Sequence, residues 1–477
     1  MQYSVVNLNK AINTPGFRLD AEFYSPYYLE SEQLVLAKNN NRLGDIISVL
    51  TDYHANGSYE VLRGNVEILD SPDYALMIRT VDLERDDFEH DVKYVSEHAY
   101  NFLKKTKVFG GEIIINKIGN AGKVYIVPPL DKKVSLGMNQ FMIRPKEDLD
   151  NYFLYIFLVC KYGRLLLEQR VTGAVPLSID KNSVRSVPVP IFTKSFQEII
   201  HKLVEQYFFL NNQGKDIYFQ AEQLLLSELG LWDWKPKHRL TFVKNFSDTQ
   251  KAERFDAEYF QPKYEEIIKA VKKYEGGFVK LAEVATTKRG SLIPDKFYTN
   301  EKETPYIRGA DFSSGFLSDD KLVYIDNSFK PSRGTITRKN DIVFALIGTV
   351  GTTALIDEKF DKAFISNNIG KISVKNYNPF TLQVLLHSTI GKLYFEKEQT
   401  QTAQPKISDK DIHNFILPLL KDNIISEIEI GYIESQKNKK FSKSLLEIAK
   451  RGVEMAIEKD EKEAEKWINT MKYSISF

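Results

Sequence analysis

The chain has 477 residues, more than one hydrophobic core usually serves, so two or more domains are expected. Its 65 basic and 64 acidic residues nearly cancel, which excludes a whole-molecule basic field and confines any polyanion site to a local patch. A single cysteine, Cys160, excludes an internal disulfide and a multi-cysteine metal site, and 43% hydrophobic with 27% charged residues matches a soluble globular composition.

The opening MQYSVVNLNK lacks a basic stretch followed by an apolar run of signal-peptide length. The first strongly punctuated element is FRLDAEFYSPYY at 17–28, and ERFDAEYFQPKY at 253–264 nearly repeats it. Arg18, Asp20, Ala21, Glu22, Pro26 and Tyr28 reappear as Arg254, Asp256, Ala257, Glu258, Pro262 and Tyr264. The two carboxylates at i, i+2 beside aromatics and proline read first as a capping and anchoring element; a catalytic dyad is the alternative.

LGDIISVL follows in the first copy and LAEVATTKRG in the second, each a short helix or strand entering a loop. MIRTVDL (77–83) then falls on YIRGADF (306–312), and GGEIIINKIGNAG (110–122) on KNDIVFALIGTVG (339–351), both at an offset of 229. At that offset Asn139 meets Asn368, Pro176 meets Pro405, and Asp180-Lys181 meets Asp409-Lys410. A period this long means a duplicated domain, since solenoid repeats are far shorter. EIIINKIG, KVYIVPP and QFMIRP, with DIVFALIG, TTALID and GKISV, are short β-branched runs punctuated by Gly, Pro, Asn and Asp, as in a compact sheet with tight turns.

A helical segment is predicted from near Asn151 or Asn378, before the Pro-rich strands VRSVPVPIF and HNFILPLL. NYFLYIFLVC, at ten residues, falls short of a membrane span, and Cys160 at its end reads as a buried, inert thiol. Together with the N-terminus this predicts a cytoplasmic protein that does not enter a membrane.

From Ser195 the apolar spacing turns helical through Ile199, Ile200, Leu203, Val204, Tyr207, Phe208, Ile217, Ala221, Leu224 and Leu225. Ser195 with Glu198 predicts a capping box, Gly230 a C-terminal stop, and Gly214 is a tolerated interruption. From about Ile424 the pattern recurs through Ile428, Ile433, Leu445, Leu446, Ile448 and Ala449 and ends in EKDEKEAEKW. Each helix is predicted at roughly 50–65 Å. One apolar stripe on so long a helix requires a partner: the other helix in a coiled-coil-like pair, or its own domain by folding back.

The expected fold is α+β: two pseudo-two-fold-related β-rich domains separated by two long packed helices. The predicted boundaries are a first domain at 1–194, a helix at 195–231, a second domain with its linker at 232–422, and a second helix with tail at 423–477.

GNAGKV (119–124) fails as a phosphate loop, because Lys117 stands where the first Walker glycine belongs and Val124 where Ser or Thr belongs; GTVGTT in the second copy has no lysine. Two glycines at this spacing predict a sharp strand-to-strand turn. There is no GxSxG, HExxH or GxGxxG, no methyltransferase cofactor loop, and no ligand spacing among the seven histidines.

In its two-copy order, the chain resembles the DNA-specificity subunits of type I restriction-modification systems. The resemblance rests on RLDAEF and RFDAEY, on Ile78-Arg79 to Asp82 and Ile307-Arg308 to Asp311, and on GEIIINKIGNAG and NDIVFALIGTVG. One departure is Glu112 where the second copy keeps Asp341. The resemblance implies a non-enzymatic subunit acting in DNA methylation and host defence. Each recognition domain would read one half of a bipartite double-stranded DNA target. The helices would set the spacing and dock two DNA adenine methyltransferase subunits, and restriction translocase-nuclease subunits would join for cleavage. No cofactor is implied in this chain; S-adenosylmethionine and ATP with Mg would belong to the partners. A two-headed protein adaptor and a nuclease with a divergent site are the readings from other classes.

Base reading requires Arg, Lys, Asn or Gln at groove edges, while phosphate contacts only position the protein. The candidates in the first copy are Arg79, Lys117, Asn120, Lys123, Asn139 and Gln140. In the second they are Arg308, Thr349, Thr352, Thr353, Asn367 and Asn368, with Lys288 and Arg289 in a separate basic loop. Arg79 and Arg308 serve either as phosphate anchors or as partners of Asp82 and Asp311, and the remaining residues equally suit a solvated polar loop.

Overall fold

The computed structural model describes residues 4–14, 17–313, 315–318, 322–331, 335–400 and 403–475. The chain divides into two compact units, one of residues 1–212 with 438–477 and the other of residues 213–437. The division runs through the two long helices rather than at their ends, so each unit contains a length of both.

The first unit is built on two four-stranded sheets. One is antiparallel in the order Ile47–Asp52, Gln140–Pro145, Ile113–Asn116, Val124–Ile126. The other has the order Lys93–Val95, Ala75–Ile78, Val134–Leu136, Lys107–Val108, with its central pair parallel. Ile113, Ile114 and Ile115 of strand Ile113–Asn116 form a continuous apolar run because both faces of the strand are covered. Ile113 and Ile115 pack with Phe153 and Phe157 of the helix Asn151–Val159, Leu166 of the helix Lys161–Glu168, and Phe196, Ile200 and Leu203 of the helix Lys194–Glu228, while Ile114 faces Leu76, Ile78 and Leu136 of the other sheet. Leu445, Ala449 and Val453 close the first cluster. Cys160 lies in it, and burial pushes its thiol up to about 12, leaving it protonated.

The second unit repeats the plan. Its antiparallel sheet runs Ala285–Arg289, Ile369–Val374, Ile342–Ala345, Thr353–Leu355. Its other four-stranded sheet runs Tyr298–Thr299, Val323–Ile325, Thr304–Ile307, Phe364–Ile365, with the last pair parallel. Ile342 and Phe344 join Leu382, Leu385 and Phe395, and Val343 faces Ile307 and Ile365. In both units LGDI or LAEV is a helical turn leading directly into the edge strand, so Lys288 and Arg289 end that strand and do not form a separate loop.

The register between the copies is not constant. Asn116 N donates to Lys123 O, and 229 positions later Ala345 N donates to Thr352 O. The loop before the next helix is one residue shorter in the second copy: Asp150 caps one helix by accepting from Phe153 N, and Asn378 caps the other by accepting from Thr381 N, an offset of 228. Thr172 pairs with Ser178 as Thr400 pairs with Lys406, also at 228. Pro176 therefore corresponds to Gln404, not Pro405, and Asp180 to Ser408, not Asp409. Ser408 does the capping work of Asp180, its Oγ accepting from Asp411 N.

The long helices are Lys194–Glu228 and Asp422–Glu458, roughly 50–55 Å each at 1.5 Å per residue. The first begins one residue earlier than Ser195, with Thr193 Oγ1 accepting from Phe196 N; the predicted Ser195 cap does not form, and Glu198 pairs with Lys202. It ends as predicted at Gly230 (φ +69°), where Gly230 N donates to Ser227 O and Leu231 N to Leu226 O, the paired bonds of a Schellman motif. At Gly214 the carbonyl accepts from Ser435 Oγ at 2.6 Å, and Gly431 brings the helix backbone to the Ala221 methyl, so within the second unit the two helices touch through small residues. The second helix stops before the charged run: Asp460 Oδ1 accepts from Glu463 N and starts a separate helix, Glu461–Ile475, whose Ile468 packs on Gly452. No helix among the described residues is long and apolar enough to cross a membrane.

Candidate nucleic-acid interface

In each head the central strand of the antiparallel sheet leads into a tight turn. Gly119 and Gly122 have φ +84° and +82°; Gly348 and Gly351 have +81° and +90°. The turn is pinned from two sides. Lys117 N donates to Asn139 O and Gly119 N to Leu177 O, while Leu346 N donates to Asn368 O and Gly348 N to Pro405 O. Asn139 adopts φ +64°, which asparagine tolerates better than most side chains. Asn120, Asn139, Thr349 and Asn368 are exposed around these turns, and Thr352 and Asn367 are half-buried beside them.

Two candidates are withdrawn from that surface. Gln140 is 0% exposed and its amide, suitably oriented, bonds Ile78 O, Thr80 N and Thr80 Oγ1, so it builds the floor below the turn. Thr353 is likewise 0% exposed and accepts from Gln383 Nε2 at 3.1 Å.

Arg79 and Arg308 make the ion pairs with Asp82 and Asp311. Asp82 is 1% exposed; it accepts from Arg79 N at 2.7 Å and pairs with the Arg79 guanidinium, which also reaches Asp91 O. Asp311 does the same for Arg308, at 2.7 Å from its backbone and 3.3 Å from Nη2. The aspartate caps the turn with its oxygens and holds its own cation, which explains the I-R-x-x-D spacing. Glu112 and Asp341 also match: Glu112 accepts from Phe109 N and pairs with Arg144, and Asp341 accepts from Arg338 N and pairs with Lys371. The Glu-for-Asp departure thus preserves the same backbone bond.

Glu84 draws Asn120 and Lys123 together, accepting from both and from Tyr125 Oη at 2.7 Å. Burial raises the Glu84 carboxyl, but hydrogen bonds from Lys123 and Tyr125 outweigh it and the net shift is downward. Lys117 reaches across to Asp52, Nζ to Oδ2 at 3.2 Å, and meets Lys181 there, whose Nζ is 2.9 Å from Oδ1. Both ammonium groups also lie toward the Phe141 ring, at 5.6 and 5.9 Å. Asp52 and Lys181 were not among the sequence candidates, since nothing local marks two residues that meet Lys117 from 65 and 64 positions away. In the second head Lys288 and Arg289 are exposed, and Arg289 Nε donates to Asn367 O at 2.5 Å.

The duplicated aspartates act as caps and ion-pair partners, the anchoring role. Asp20 pairs with Arg18 and accepts from Phe23 N; Asp256 pairs with Arg254 and accepts from Tyr259 N. The Arg18 hydrogen bond holds Asp20 below the usual carboxylate range, and Arg254 does the same for Asp256, which suits an anchor and not a proton carrier. Among the described residues no three His, Cys, Asp or Glu side chains cluster as a metal site.

The family described as Type I restriction modification DNA specificity domain matches residues 23–218 and 272–450, one block per head with its adjoining helix. No curated protein matches the chain. Solved structures that the chain matches include the S subunit of a type I restriction-modification system from M. genitalium, at 14% identity over 85% of this chain and 94% of that one, TM-score 0.37. The HsdS subunit from Thermoanaerobacter tengcongensis aligns at 14% identity over 88% and 97%, TM-score 0.29.

Proposed function

The chain belongs to the type I restriction-modification DNA specificity family, and from that premise we propose that its heads read the two halves of one split double-stranded DNA target. The observation that carries this reading is the pair of matched blocks, each with its own glycine turn, Arg–Asp cap and length of long helix. A split target needs two similar readers in one chain, and a duplicated domain supplies them. The family match lends no support to a protein adaptor or a nuclease.

The same reading assigns this chain recognition and assembly without catalysis. Its long helices fix the spacing between half-targets and dock two DNA adenine methyltransferase subunits, which contribute S-adenosylmethionine; translocase-nuclease subunits contribute ATP and Mg. The assembly acts in the cytoplasm. Among the candidates, Lys117, Lys123, Asn120 and Asn139 in the first head and Lys288, Arg289, Thr349, Thr352, Asn367 and Asn368 in the second face the DNA. Arg79 and Arg308 hold the turns that present them.

The test is methylation mapping of DNA from a host without its own methylation, carrying this gene with its methyltransferase partner. A split adenine-methylated motif that vanishes when this gene is deleted supports the reading. The same motif methylated without this chain refutes it.

A further inference from the structure

One place in the two heads combines a preserved backbone with inverted charge. The edge strand of the first head pairs Asp52 with Phe141, and that of the second pairs Arg289 with Gly370, so Asp52 and Arg289 occupy equivalent positions. Lys117 N donates to Asn139 O as Leu346 N donates to Asn368 O, which matches Lys117 with Leu346. Ile179 N donates to Lys117 O as Ile407 N donates to Leu346 O, which matches Lys181, two residues on, with Asp409. The first head therefore holds two lysines on one aspartate over a phenylalanine. At the same place the second head has an arginine, a leucine, an aspartate and a glycine.

The first-head cluster is built, not incidental. Asp52 is 7% exposed, and a carboxylate so placed requires a cation. One would suffice; two are supplied, from opposite oxygens, leaving an excess positive charge. The Lys117 and Lys181 side chains remain 30% and 35% exposed, and among the described residues each ammonium directs one of its three N–H groups to Asp52. The result is a pair of oriented, partly open donors at the mouth of the glycine turn. In the second head Arg289, exposed and steadied by its Nε bond to Asn367 O, offers donors from the same strand position.

Positions kept in both copies, such as the Arg–Asp caps and the turn glycines, do a common job. Where the frame is kept and the charge is inverted, the two heads differ in what they touch. Resting on the specificity-subunit reading, we propose that this place is a base-reading position in each head: Lys117 and Lys181 together donate to guanine N7 and O6 in one half-target, and Arg289 donates to guanine in the other. Lysine and arginine donors suit that acceptor pair in the major groove.

The experiment uses the full chain in complex with its methyltransferase partner and measures methylation rates on duplexes in which each base of the mapped motif is substituted in turn. The expected result is a guanine in each half whose replacement slows the wild-type complex roughly 5- to 150-fold. Lys181→Met, which leaves Lys117 on Asp52, should flatten that preference at one position of the first half only. Arg289→Met should do so at one position of the second half only. Lys117→Met, which leaves Lys181 on Asp52, should flatten the preference at the same position of the first half and so provides a second, independent variant. A motif lacking guanine in either half, or variants that slow all duplexes equally with base preferences unchanged, overturns the proposal; the latter result makes these cations phosphate contacts. Absence of any motif with the wild-type chain strikes the specificity-subunit reading itself, so the two failures are distinct.

Discussion

His201 Nδ1 lies 2.6 Å from Asp150 Oδ2, which ties the third turn of the long helix to the cap of the helix Asn151–Val159. At the equivalent place in the other head Asn378 Nδ2 donates to Glu429 Oε2, also at 2.6 Å. One contact is thus maintained with its chemistry exchanged. His201→Glu alone sets two carboxylates together and should lower stability by about 1–3 kcal/mol. Adding Asp150→Asn recreates the second head's pair and should recover most of that loss. Thermal unfolding of the two single variants and the double variant gives the coupling directly, and an additive result would contradict it.

Arg79→Ala leaves Asp82 buried beside a lost cation, and about 3 kcal/mol of destabilisation is expected. Asp82→Ala with Arg79→Ala should cost less than Arg79→Ala alone if the stranded charge is the main term. Urea denaturation of both variants decides this. Because Arg79 is structural in this way, weakened DNA binding by Arg79→Ala has to be read alongside its folding.

The duplicated plan was legible in the sequence because its markers have local causes. The I-R-x-x-D spacing is a capping geometry, the G-x-x-G spacing is a pair of positive-φ positions, and continuous isoleucine runs follow from a strand covered on both faces. The Arg79–Asp82 pairing could be offered, but not chosen over a phosphate anchor, since both need the same residues. The meeting of Asp52, Lys117 and Lys181 was not legible, because it brings together three segments more than sixty residues apart: a strand end, a turn and a helix start. Gln140 misled for the opposite reason: glutamine beside a loop looks like a reader, and only the register of Gln140–Pro145 turns it inward. The slip from 229 to 228 was hidden by two prolines, Pro176 and Pro405, that agree in sequence and not in structure.

The four turn glycines should respond differently to alanine. A Cβ at Gly119 or Gly348 meets nothing within 4 Å, so only the positive φ is penalised, at about 1 kcal/mol. At Gly351 the added carbon would also lie 3.1 Å from Phe395 Cβ, so Gly351→Ala should cost about 1–3 kcal/mol more than Gly348→Ala. Gly348→Asn should be milder than Gly348→Val, since asparagine tolerates this backbone region. Denaturation midpoints of the series order these effects.

Binding by the isolated chain should be weak and steeply salt dependent. With 65 basic against 64 acidic residues, only local cations attract the phosphates, so the slope of log K against log salt reports few contacts. Lys123→Met should reduce that slope by about one unit if it neutralises one phosphate. Titration of fluorescent duplex between low and physiological salt checks it, and tight, salt-insensitive binding would count against the reading.

Acid should loosen the first head through its paired carboxylates. Burial raises the Asp52 carboxyl, but hydrogen bonds from Lys181 and Lys117 bring it below its ordinary 3.8; Glu84, by a similar balance, falls below 4.5. A carboxylate depressed in the folded state contributes stability that is fully present above its unfolded pKa and is lost as pH falls through the folded one. Stability should therefore vary little through these two groups from pH 7 to about 5 and decline below about 4.5. Asp52→Asn should lower stability at neutral pH, because two half-buried lysines lose their anion, and should make the acid decline shallower, because one of the titrating groups is gone. Urea midpoints of wild type and Asp52→Asn across this range measure both effects; an acid limb of unchanged steepness would mean that Asp52 is not held down by its lysines.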